Sequence, residues 1–93
     1  MKKKTRKPRA TTILSQAVTD LSAKNGVTPA EEQVLKELVL RGNRAPVIAT
    51  TLGISSFTVN NHVKSIRRKF GAATREQVLV AIAQHAIKSA MKL

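Results

Sequence analysis

The chain has 93 residues, with 17 Lys and Arg against five Asp and Glu, a formal net charge of +12, two Phe, and no Trp, Tyr or Cys. That length holds one core, and the missing cysteines exclude a disulfide framework and a thiolate zinc site. So few aromatics exclude a base-stacking platform for single-stranded nucleic acid, while the charge calls for a polyanionic partner, nucleic acid or an anionic membrane.

Residues 1–10 carry Lys3, Lys4, Arg6, Lys7 and Arg9 with no acid, and Pro8 near the end. Cations this close repel one another, so the segment reads as a disordered arm able to lie on phosphates or in a minor groove. It lacks the apolar stretch of a signal peptide, and no run in the chain reaches the about 18 apolar residues of a spanning helix. The expectation is a cytoplasmic protein of bacterial type, associated with the nucleoid when bound, with no membrane contact.

An extra helix is predicted over 11–25, capped by Thr11 or Thr12, with Ile13, Leu14, Ala17, Val18 and Leu21 on one stripe. Asn25-Gly26 stops it. Thr28-Pro29-Ala30-Glu31 then opens a second helix: Thr28 caps, Pro29 suits the first turn, and Glu31 completes a capping box. Val34, Leu35, Leu38 and Val39 form its apolar face, and Gly42 ends it. A short helix over about 46–52 buries Ile48, Ala49 and Leu52. Asn43 is the only good local cap for it.

Gly53 permits the positive φ of a tight turn, and Ser55 or Ser56 caps the next helix, which runs to Gly71. This is helix-turn-helix spacing. At 100° per residue, Val59, Val63, Ile66 and Phe70 turn inward. Phe57, Asn60, Asn61, Lys64, Ser65 and Arg68 turn outward. Amides pair bidentately with adenine, and Lys or Arg with guanine. Two adjacent Asn are poor choices for a helix interior unless the surface does more than solvate. Arg67 and Lys69 flank this face. Phe57 is expected to pack back on its helix, with a thymine methyl as the other reading. His62 is expected among core residues.

Thr74-Arg75-Glu76-Gln77 opens a last helix with a second capping-box pattern. Its apolar residues cover more of the circumference than one core-facing stripe needs. Val80, Ala83, Ile87 and Met91 are the surplus, to be covered by a second copy, by the N-terminal helix, or by another protein. His85 stands alone on the polar side. With two His, no Cys and no paired carboxylates, no catalytic or metal site and no cofactor are expected.

The ordered set Thr28–Leu35, Ile48–Ser55, Thr58–Val63, Ile66–Gly71 and Thr74-Arg75 resembles the LuxR-type DNA-binding domain over about residues 27–87. The resemblance implies an all-α, four-helix domain, assigned here to 27–91, with the extra helix and the basic arm before it. It also implies that the third family helix enters the major groove of double-stranded DNA, that the fourth dimerises, and that a homodimer binds a pseudo-palindromic promoter site. Carried over by position, Asn60, Asn61 and Lys64 read bases, joined by Arg68. Ser55, Ser56, Thr58, Arg44, Arg67 and Lys69 meet the backbone. Three departures stand out. Arg44-Ala45-Pro46-Val47 replaces the usual capping box of the scaffold helix, Phe57 replaces a polar residue, and the single helix and basic arm upstream are expected to leave no room for a sensor domain. A co-regulator docking on a larger regulator or on RNA polymerase, a sigma-factor promoter-reading domain, and a nonspecific nucleoid-type binder are the competing readings.

Overall fold

The computed structural model describes residues 9–91, and side chains from Thr12 onward. It is all-α. Five helices follow in order: α1 (Arg9–Asn25), α2 (Pro29–Arg41), α3 (Ala45–Leu52), α4 (Ser56–Phe70) and α5 (Arg75–Met91). The expected arm residues Lys3, Lys4, Arg6 and Lys7 lie outside the described residues. Arg9 is the first residue of α1, so the helix begins ahead of Thr11 and Thr12, which lie inside it rather than capping it.

The second helix starts as its sequence dictates. Thr28 accepts from the Glu31 amide at 3.2 Å, and the Glu31 carboxylate accepts from the Thr28 amide at 3.0 Å. Two amides that a helix start leaves without partners are thereby satisfied. The third helix starts without such help. Arg44 is its N-cap and makes no side-chain capping bond. Asn43, expected in that role, instead donates to Glu37 Oε1 at 3.0 Å and braces the end of α2. At the start of α5, Thr74 Oγ1 accepts from the Gln77 amide at 3.2 Å, and Gln77 reaches back to the amide of Ala73.

One aliphatic core joins the helices. Val18, Val34, Leu35, Ile48, Val59 and Ile82 are fully buried, with Ile66 and Val78 almost so. α1 packs on both α2 and α5, α2 on α4, and α3 on α4. The extra helix is thus integral to the core: it places Ala17 and Val18 inside and covers one flank of α5. Full burial of side chains of this size stabilises by about 1.5–3 kcal/mol each, before conformational entropy is charged against it. Ser22 is the polar exception, 1% exposed with its hydroxyl unpartnered.

Candidate nucleic-acid interface

The turn between α3 and α4 sets the geometry of the site. Gly53 adopts φ 70° and its amide returns to the Ala49 carbonyl, while the Ile54 amide bonds the same oxygen at 3.0 Å. A side chain at φ 70° is strained, so glycine is required there. Small, buried Ala49 and fully buried Val59 then lie in the α3–α4 contact. Ser55 caps α4: its Oγ accepts from the Thr58 amide at 3.0 Å and lies 2.9 Å from Thr58 Oγ1. That choice occupies Ser55 and Thr58 with each other and leaves Ser56 exposed at the opening of α4.

The helix presents two faces. Val59 and Ile66 are buried, and Val63 and Phe70 pack beside them. Asn60, Asn61, Lys64 and Arg68 are all exposed. With 3.6 residues per turn, positions 57, 61, 64 and 68 run in one stripe opposite the buried pair. The expected base readers therefore share one open face.

Three residues have surroundings that local sequence does not show. Lys69, expected at the DNA backbone, has its Nζ 2.7 Å from Glu31 Oε1, tying the end of α4 to the start of α2. Ser65 lies near enough to the same carboxylate to help hold its pKa down. Burial alone would raise the Glu31 pKa. Lys69, Ser65 and the Thr28 amide, together with the Lys69 charge, outweigh burial and hold it at about 2, against an ordinary 4.5. Phe57, expected to fold back on its helix, is 75% exposed. Position 57 faces directly away from the core, so the ring has no wall to pack on.

Arg67 is half-buried, and its guanidinium donates to the Ala73 carbonyl at 2.8 Å, fixing the α4–α5 corner. Beyond that corner is a residue that sequence reasoning left unassigned. Asn60, Lys64 and Arg67 line one open depression of about 640 Å³ together with Thr74 and Arg75 at the start of α5. Arg75 also borders a second depression with Arg44. Glu76 lines both depressions and lies 3.8 Å from the Arg75 guanidinium, so Arg44, Arg75, Arg67 and Lys64 form a rim that is mostly basic and carries one acid. A cation in the first turn of a helix opposes the helix dipole, and here the neighbouring Glu76 carboxylate offsets part of that cost.

His62 is half-buried. His85 is not alone: its Nε2 lies 3.2 Å from Asp20 Oδ2 on α1. The Gln16 amide, followed by His85, holds the exposed Asp20 carboxyl below its ordinary value. Among the described residues, no helix is long and apolar enough to cross a membrane.

Val80, Ile87 and Met91 of α5 are 52%, 58% and 79% exposed, and Ala83 is exposed beside them. Ala83, Ala86, Ile87 and Ala90 form an apolar groove of about 290 Å³ with Ile13 and Leu14 of α1. The N-terminal helix therefore covers one flank of α5 and leaves this surface open.

Comparison with curated proteins and with solved structures finds no match. A family model described as "Bacterial regulatory proteins, luxR family" matches residues 25–82, from the end of α1 to the middle of α5. A helix-turn-helix with an open amide-and-cation face, inside a match over most of the chain, makes this a DNA-binding regulator of transcription: the chain belongs to the luxR family of bacterial regulatory proteins.

Proposed function

We propose that the protein reads a specific double-stranded sequence by lodging α4 in the major groove, as a homodimer on a pseudo-palindromic promoter site in the cytoplasm. The observation that carries this reading is the exposed stripe of Asn60, Asn61, Lys64 and Arg68 opposite buried Val59 and Ile66. Adjacent asparagines gain nothing for helix stability, and their amides match the adenine edge. Ser56 and Thr58 lie in the first turn of α4 to either side of the reading stripe, where they can meet the phosphates that flank it. Arg44, Arg67 and Arg75 provide the rim that positions the duplex without reading it. The arm, with Lys3, Lys4, Arg6, Lys7 and Arg9, adds charge to the same partner.

The homodimer rests on the exposed Val80, Ala83, Ile87 and Met91 of α5. Two copies joined there would bring two reading helices to half-sites on one side of the duplex. The groove between α1 and α5 favours a second reading, a docking site for a larger regulator or polymerase. Selection of bound duplexes from a random pool by the purified full chain separates them. Enrichment of two inverted half-sites is expected. A pool that never departs from random, at physiological salt, would leave docking on a larger partner or charge-driven coating of nucleic acid.

A further inference from the structure

The chain has two aromatic residues, and they are spent differently. Phe70 packs against the core at the end of α4. Phe57, the second residue of the same helix, is three-quarters exposed. A phenyl ring is among the most favourable side chains to bury, and one left in water forgoes that gain. Core stability does not account for Phe57, since three-quarters of the residue is in water.

Its position is more informative than its exposure. On a 100° wheel, Asn61, Lys64 and Arg68 all fall within about 40° of Phe57, and buried Ile66 lies opposite. The ring therefore continues the amide-and-cation stripe at its N-terminal end. That end of a recognition helix reaches base edges. Four edge types face the major groove, and only one carries an apolar group: the C5 methyl of thymine. Hydrogen-bonding side chains gain nothing from it, whereas a phenyl face does.

We propose that Phe57 is a specificity-determining residue that packs on the C5 methyl of one thymine in each half-site. This rests on the reading of α4 as the recognition helix and adds a base that none of its polar residues would select. The ring makes an apolar contact from within the groove; it does not wedge between base pairs, a device of minor-groove binders that kink the duplex.

The test uses the full chain and the duplex enriched from the random pool. Each thymine is replaced in turn by deoxyuridine, which removes one methyl and leaves the hydrogen-bonding edge unchanged. One thymine per half-site is expected to lose about three- to fivefold in affinity on this exchange, the scale of one buried methyl. Phe57→Ala should bind thymine and uracil duplexes alike, and Phe57→Leu should retain part of the preference. Both variants should keep the parent's melting temperature, because the ring has no role in the core. Two results would overturn the proposal. Either every uracil duplex binds as its thymine parent does, or Phe57→Ala discriminates as the parent does, including the case where it changes only the oligomeric state. A pool without any enriched site would remove the reading of α4 as well, so the two failures are distinguishable.

Discussion

The Lys69 ammonium lies 2.7 Å from the Glu31 carboxylate, 38 residues away in the chain, and so joins the last turn of α4 to the first turn of α2. The same carboxylate closes the capping box on Thr28. The start of α2 and the end of α4 thus share one buried acid.

Acid should therefore unfold the domain in a defined window. The Glu31 pKa falls from an ordinary 4.5 to about 2 on folding. Its contribution is complete above about pH 4.5 and is lost as pH falls from there towards 2. The amount is on the order of 3 kcal/mol, for a group only 6% exposed. Glu31→Gln should unfold at lower denaturant at neutral pH and lose most of the parent's pH dependence between 4.5 and 2. Unchanged pH dependence in urea titrations would show that the tie carries no energy.

Ser22 offers a gain rather than a loss. Its hydroxyl is buried without a partner, and such a group costs about 1–3 kcal/mol. Ser22→Ala should stabilise the protein by about 1 kcal/mol, which raises the melting temperature by roughly 4–8 °C in a domain of this size. Calorimetry of the variant decides it. A lower melting temperature would mean that the hydroxyl bonds a group within its own helix.

Asn61→Ala and Lys64→Ala should each cost about 1–3 kcal/mol of binding at the selected site and relax the preference at one base. Arg75→Ala should behave differently. It should weaken specific and random duplexes alike and reduce the salt slope by about one. Equal losses on all sequences for Asn61→Ala would remove it from the base readers.

Ile87→Glu should interrupt association through α5 without unfolding the domain, because the residue is 58% exposed. Sedimentation in the presence of a duplex with two half-sites should show one variant chain per half-site binding independently, where the parent binds in pairs. Pairwise binding by the variant would move the dimer contact elsewhere.

Local signals carried most of the fold. Thr28-Pro29-Ala30-Glu31 names a helix start through bonds that span three residues, and Gly53 names a turn through its own φ. The inward and outward faces of α4 follow from periodicity alone. What local signals missed was long-range. Nothing near Lys69 in sequence shows the acid 38 residues back that it pairs with. His85 meets Asp20 across 65 residues. Arg75 joins the rim only once α5 folds beside α4. Asn43 had a good capping side chain, but Glu37 bonds it first. The start of α1 was missed because Thr11 and Thr12, good caps in isolation, are overridden by a helix already under way at Arg9.

The uncapped opening of α3 bears on how the motif breathes. Arg44 makes no capping bond, the first turn holds no acid, and eight residues are too few to stand as a helix in water. The scaffold half of the motif is then borrowed order, kept in shape by α4 and α2 and surrendered first when they loosen. In deuterated solvent the amides at its start should exchange well ahead of those in the middle of α4, so the element packed beneath α4 is also the first of the pair to open.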